Sequence, residues 1–314
     1  MRQIMRMKLL FLDIRTVIRF AAIFTCCLGV LIGTSDTAIA DEGQFFVLAL
    51  DEAGQPVLDL GQDEIRLFQG DDACTTKSIE VETNGMKIAL LVDNSGPASS
   101  SLNSLRDGLQ GFLEDLPPKH EVGLFTLAGY VRQRVDFTTD RQALIEDATS
   151  IFAEQNAGSV MVEGLLETWD RRFEDEDPWP VFVVVAYDGP ENSRSVRERK
   201  INEFTIDTMQ RGATVHTVLV TTAGGDNFNS ETTRLVTLNV TRNTGGVYES
   251  IAAATGVVGV LKQLAATMAS DYELLKNRYR VGFECSGDLV GPFKVEVARP
   301  GVRVQASASR QVPR

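Results

Sequence analysis

The sequence predicts an α/β fold: a doubly wound, mostly parallel sheet inserted in a small β-sandwich formed by N- and C-terminal strands. Three observations lead there. Lys87 to Val92 and Val181 to Ala186 are near-continuous aliphatic runs, the composition a parallel strand takes when both its faces are buried. Around them, strand-like runs alternate with segments whose apolar residues recur at helical spacing. Before and after this stretch the texture changes to short β-type runs cut by Asp, Gly and Pro clusters.

Residues 1–40 stand apart from the fold. Arg2, Arg6, Lys8, Arg15 and Arg19 make a basic start, Phe20 to Gly33 carries no charge, and Ala38-Ile39-Ala40 has a small-x-small exit. Together they predict a cleaved secretory signal peptide and a periplasmic or secreted protein. The apolar stretch is short of the ~20 residues a spanning helix needs, so no stable membrane insertion is expected after cleavage.

Residues 41–84 contain Phe45 to Leu50, a turn at Asp51 to Pro56, and Glu64 to Phe68. The segment as a whole reads as three antiparallel strands, too few to bury two faces unaided. From 85 to 278 the order is strand, helix, strand. Leu102, Leu105, Leu109, Phe112, Leu113 and Leu116 mark a helix that Pro117-Pro118 stops. Val122 to Leu127 and Val131 to Phe137 read as strands, and Arg141 to Phe152 and Val160 to Phe173 as helices. After the second apolar strand come a helix over Val196 to Arg211, a strand at Thr214 to Val220 and a helix at Glu231 to Asn243. A short edge strand, Gly246 to Glu249, and a long helix, Gly256 to Asn277, complete the domain. Residues 279–314 return to β texture at Tyr279 to Cys285, Phe293 to Ala298 and Val302 to Ala308, which completes what the first three strands lack.

Charge and cysteines narrow the function classes. The leader holds five of the 31 Lys and Arg residues and two of the 43 Asp and Glu residues, so the remainder carries a formal charge of −15. Such a surface repels phosphate backbones, which argues against a nucleic-acid partner. Two cysteines lie beyond the leader, Cys74 and Cys285; their spacing excludes a zinc ribbon or a redox CxxC. In an exported chain they form a disulfide tying the two terminal segments together, or else remain buried thiols. His120 and His216 lie far apart in strand-like runs and make neither a triad nor a metal site, and Ser95 is in no nucleophile elbow.

In an open parallel sheet, ligands bind beyond the carboxyl ends of the strands where the winding reverses. The two most apolar strands each run into a carboxylate, in Val92-Asp93-Asn94-Ser95-Gly96 and Ala186-Tyr187-Asp188-Gly189. If the strands are neighbours, Asp93 and Asp188 share a crevice, and close carboxylates raise each other's pKa unless a cation intervenes. Hydroxyl and carboxylate oxygens suit a hard divalent ion. Ser95 offers one hydroxyl and Ser159, in Asn156-Ala157-Gly158-Ser159, a second.

With these residues in view, the chain resembles the von Willebrand factor A domain, most closely a bacterial exported subgroup, over nearly all of 41–314. The resemblance implies a metal-ion-dependent adhesion site built from an Asp-x-Ser-x-Ser run, a Thr and an Asp. Asp93 matches the first Asp, Ser95 the first Ser and Asp188 the last Asp, while Ser159 stands where Thr is usual. Pro97 occupies the second Ser position and brings no side-chain oxygen. The implied ligand is Mg²⁺, or another divalent cation such as Ca²⁺ or Mn²⁺; a relic pocket without metal is the alternative.

The function expected is non-enzymatic: capture of an acidic residue of a protein partner by a cation on Asp93, Ser95, Ser159 and Asp188. A metal-independent scaffold in a cell-envelope assembly is the second reading. A metal-assisted hydrolase is the third, with only the carboxylates to recommend it.

Overall fold

A computed structural model describes residues 40–175, 177, 179–194, 197–221, 228–286 and 293–307. The leader expected at 1–40 therefore lies outside the described residues apart from Ala40, as do residues 222–227.

The described chain forms two six-stranded sheets. The first is built in the order β6-β5-β4-β7-β8-β9. Its strands are β4 (Lys87–Val92), β5 (Glu121–Thr126), β6 (Arg132–Thr138), β7 (Pro180–Tyr187), β8 (Thr214–Val220) and β9 (Tyr248–Ile251). All neighbours pair in parallel except β6, which runs antiparallel to β5 at one edge. Strand β4 is central, and the chain leaves it toward β5 on one side and later fills β7, β8 and β9 on the other.

Residue alternation along β4 and β7 explains the layering. Ile88, Leu90 and Val92 join Val181, Val183 and Val185 in one fully buried cluster. Ala89, Leu91, Phe182, Val184 and Ala186 belong to another on the opposite face. The first cluster is closed by α1 (Leu102–Asp115), α2 (Arg141–Ser150) and α6 (Gly256–Leu275). The second is closed by α3 (Met161–Arg172), α4 (Glu198–Gln210) and α5 (Phe228–Thr244). A sheet covered on both sides has no wet face, so both parities must be apolar.

Helix α5 buries an unusual face. Thr233, Thr237, Thr241 and Thr244 are buried, and Thr241 shares a 2.8 Å hydroxyl contact with Thr217 of β8. Thr237 and Thr244 return their hydroxyls to carbonyls one turn earlier, at Thr233 and Val240, which satisfies polar groups that burial would otherwise strand.

The terminal strands form the second sheet, in the order β11-β2-β3-β10-β1-β12. These are β1 (Ala40–Leu50), β2 (Ile65–Gln69), β3 (Asp72–Val81), β10 (Tyr279–Ser286), β11 (Phe293–Val297) and β12 (Arg303–Ser307). All its pairings are antiparallel. Strand β3 serves both halves of this run, pairing with β2 at residues 72–74 and with β10 at residues 75–81, and the outer strands β11 and β12 approach each other. Phe45, Ile65, Leu67, Val281 and Phe283 fill the interior together.

Two connections join the sheets side by side. Glu82 N–H donates to the Arg278 carbonyl at 2.8 Å, and both residues are buried. Burial draws the Arg278 guanidinium down to about 10, against the opposing pull of the nearby Glu82 carboxylate. Tyr272 at the end of α6 donates to the Thr83 and Asn84 carbonyls and stacks on Trp179. Helix boundaries fall within a few residues of expectation; the edge strand after α5 begins at Tyr248, two residues later than Gly246.

Cys74 and Cys285 face each other across β3 and β10 and are joined in a disulfide, with Cα atoms 4.4 Å apart. The closed loop spans 211 residues and includes the whole three-layer domain. Restricting so long a loop in the unfolded chain stabilises the native state by about 2–4 kcal/mol. Urea unfolding with and without reductant, and of Cys74→Ser/Cys285→Ser, is expected to show a loss of that size with the fold retained; an unchanged midpoint would rule the bridge out.

Candidate functional site

Strand pairing brings the two carboxylates to one end of the sheet. Strands β4 and β7 are direct neighbours with Val92 opposite Val185, so Asp93 and Asp188 leave adjacent strands at their carboxyl ends. This is also where the chain order reverses, between β4 and β7. The backbone continues each ladder by one bond: Asp93 N–H donates to Val185 O, and Asp188 N–H to Val220 O.

Asp93 is completely buried. Its Oδ1 accepts from the Ser95 N–H at 2.8 Å and its Oδ2 from the Tyr187 N–H at 3.4 Å. Burial is the largest influence and pushes the carboxyl pKa up; the neighbouring Ser95, Ser159 and Tyr187 groups pull the other way. Ser95 Oγ and Ser159 Oγ are themselves buried, and neither reaches hydrogen-bond geometry with any described residue. Both hydroxyls nonetheless act on Asp93, each lowering its pKa as a loosely placed side-chain hydrogen-bonding group, and no other described residue engages them. A desolvated carboxylate held only this loosely is costly in a packed interior.

Ser159 is delivered by a short ladder. Its backbone bridges Ala128 on one side and Glu191 on the other, with Ser159 N–H donating to Pro190 O and its carbonyl accepting from Asn192 N–H. Val160 follows, and α3 begins at Met161. Asn94 clamps the other wall. Its Nδ2 donates to Phe152 O, its Oδ1 accepts from Ala128 N–H, and its carbonyl accepts from Glu154 N–H.

Two of the residues that shape this place escaped the sequence reading. Glu191 is buried, accepts from Ser193 N–H at 3.0 Å and lies within 3.4 Å of the Thr233 hydroxyl of α5. Burial raises its pKa, and the Asp93 charge raises it further. Asn94 is the second. The available signal was position alone, an acid three residues beyond Asp188 and a carboxamide beside Asp93.

The structure brings Asp93, Ser95 and Ser159 together and sets Asp188, half-buried, at the end of the adjoining strand. Pro97 opens the short 3₁₀ turn after Ser95, over Gly96–Ser101. Its ring lies against Gly189: a Cβ at that glycine would sit 2.4 Å from Pro97 Cγ, so only glycine fits beside the proline. Beneath, the Tyr187 hydroxyl shares a 2.5 Å bond with Ser101 Oγ, and burial pushes the phenol up to about 12.

Chemically, the cluster offers carboxylate and hydroxyl oxygens. Neither histidine reaches it: His120 Nδ1 accepts from Met86 N–H and His216 Nδ1 from Val247 N–H. Burial holds His120 down near 4, so it is neutral at physiological pH. Among the described residues, no group of three or more His, Cys, Asp or Glu side chains is placed to hold a metal by itself. Any ion here would depend on the serine hydroxyls.

No protein-family model and no curated protein matches the chain. Solved structures do. The chain is similar to the conserved hypothetical protein BatB from Bacteroides thetaiotaomicron, at 15% identity and TM-score 0.45, covering 59% of this chain and 100% of that one. It is similar to the vWF domain of the type V pili tip protein Mfa5 from Porphyromonas gingivalis, at 11% identity and TM-score 0.46, covering 60% and 96%. It is also similar to a von Willebrand factor type A structure from Catenulispora acidiphila, at 8% identity and TM-score 0.48, covering 85% and 73%.

A carboxyl whose native pKa is raised contributes stability that is fully present below its unfolded value and lost as pH rises through the native one. Glu191→Gln is therefore expected to match the parent protein in EDTA below about pH 4, near the ordinary glutamate range. At pH 7.5 it is expected to melt a few degrees higher, about 1 kcal/mol for a domain of this size. Melting curves at the two pH values check this; equal melting temperatures at pH 7.5 would mean the charge at Glu191 is already balanced.

Proposed function

We propose that this chain is a non-enzymatic, exported binding protein of the von Willebrand factor A type. In this reading a divalent cation at the β4–β7 crevice captures a carboxylate of a protein partner. The supporting observation is the convergence of two buried hydroxyls, Ser95 Oγ and Ser159 Oγ, on the desolvated carboxylate of Asp93, with neither in strict hydrogen-bond geometry. A small oxygen-seeking ion satisfies all three at once and reverses the pKa shifts of Asp93 and Glu191. Asp93, Ser95 and Ser159 would hold it, with Asp188 as the second carboxylate. Mg²⁺ fits best, since it keeps waters where protein ligands are missing, as at Pro97. Bound, the ion supplies an electrophilic position that an incoming carboxylate completes.

The non-enzymatic part of this reading rests on the serines standing in no nucleophile elbow and on both histidines being engaged by backbone N–H groups elsewhere. Export agrees with the disulfide between Cys74 and Cys285. No helix among the described residues is long and apolar enough to cross a membrane.

One observation favours a second reading, a metal-independent scaffold in an envelope assembly. Pro97 packs on Gly189 at the mouth of the crevice, so the turn is well formed without a ligand at that position.

Calorimetric titration with Mg²⁺, Ca²⁺ and Mn²⁺, paired with melting curves, separates the two. Metal at a hundred times its Kd is expected to add about 2.7 kcal/mol to stability, and Asp93→Ala to abolish both heat and shift. A protein that releases no heat and melts at the same temperature in millimolar metal as in EDTA is the scaffold.

A further inference from the structure

The loops that wall the crevice carry exposed aromatic side chains. Tyr130, just beyond β5, is 55% exposed, and Phe152, just beyond α2, is 53% exposed. Single exposed apolar residues are ordinary on a protein surface. These two differ in standing on loops whose backbones are hydrogen-bonded to the site. Gly129, at φ +71°, turns the chain outward at Tyr130, and its N–H donates to Gly158 O next to Ser159. Phe152 O accepts from Asn94 Nδ2, one residue from Asp93.

Arg132 connects the two loops. Its Nε donates to the Tyr130 hydroxyl at 3.0 Å, and its guanidinium lies 4.8 Å from the ring centroid. The same guanidinium pairs at 3.5 Å with Glu154, which follows Phe152 by two residues and bridges Ser95 through its backbone. Tyr130 is thus held upright before anything binds. Aromatic and arginine side chains presented without further ordering cost are what binding hot spots are made of.

We propose that Tyr130, braced by Arg132, and Phe152, on the neighbouring loop, form a docking rim for an apolar side chain next to the captured carboxylate of a partner protein. The assignment rests on the cation reading for the carboxylate and adds the identity of its neighbour. Charge decides which acidic partner fits. Beyond the leader the chain carries −15, so each added acid in a partner segment is repelled further. A lone Asp or Glu flanked by Phe, Tyr or Leu suffers least, and its apolar neighbour gains aromatic contact area. The expected partner is a protein segment of that kind.

Fluorescein-labelled pentapeptides test the pairing: Gly-Gly-Asp-Phe-Gly, Gly-Gly-Asp-Leu-Gly and Gly-Gly-Asp-Ser-Gly, titrated by polarisation in millimolar Mn²⁺ and in EDTA. The Phe and Leu peptides are expected to bind roughly tenfold tighter than the Ser peptide, the effect of about 1.4 kcal/mol. Tyr130→Ser/Phe152→Ser should erase that preference while leaving melting temperature and the heat of Mn²⁺ binding unchanged. Asp93→Ala should weaken all three peptides alike. Equal binding of the Phe and Ser peptides overturns the rim, as does a preference that survives the double substitution, or no binding by any peptide. A preference that persists in EDTA and in Asp93→Ala would keep the rim and remove the cation, so the two failures are told apart.

Discussion

Parallel pairing between β4 and β7 is the constraint on which everything else rests. Both strands are apolar on both faces because helices cover both sides of the sheet, and this leaves them one environment, its centre. Once they lie side by side with Val92 opposite Val185, the residues that follow cannot avoid each other. Neighbouring strands are about 4.8 Å apart, so the turns after β4 and β7 must share one opening. The helices that leave those turns, and the loops 128–132 and 152–159, then have only that opening to line.

The same geometry explains the electrostatics. The core beneath the crevice is dry, and the strand ends carry acids up to its boundary. Asp93 and Glu191 are both desolvated, each partly compensated by backbone N–H groups and by serine. Glu191 reaches Thr233 at the top of the buried threonine face of α5. The crevice is thus tied by a hydrogen bond to a helix that packs largely through threonine hydroxyls. A threonine face buries less apolar area per residue than a leucine face.

The second sheet solves a different problem. Strands from the two ends of the chain must find each other around a domain of some two hundred residues, and each set alone is too small for a core. Interleaving solves it: β10 inserts between β1 and β3, so neither terminal segment forms a sheet without the other. The disulfide joins the inserted strand to its neighbour. The buried Glu82–Arg278 crossing, with Tyr272 and Trp179 stacked beside it, fills the junction that two adjacent connections leave.

Much of this was legible from residue order. Strands buried on both faces announce themselves by unbroken aliphatic runs, so β4, β7 and their layer could be read, as could Asp93 and Asp188 at their ends. Helical spacing located α1 and α3, and with them Ser159. What could not be read depends on contacts between distant segments. A strand's pattern does not say which strands it pairs with, because any pairing buries alternate residues; the order of the second sheet is set by which edges meet. Glu191 and Asn94 have ordinary neighbours in sequence. Glu191 becomes a buried acid through the ladder between Ser159 and the β7 turn, and Asn94 becomes a clamp through partners 34 and 58 residues away. Local periodicity determined the elements and their terminal carboxylates; long-range pairing alone decided which side chains were stripped of water together, since desolvation is a property of surroundings and not of spacing.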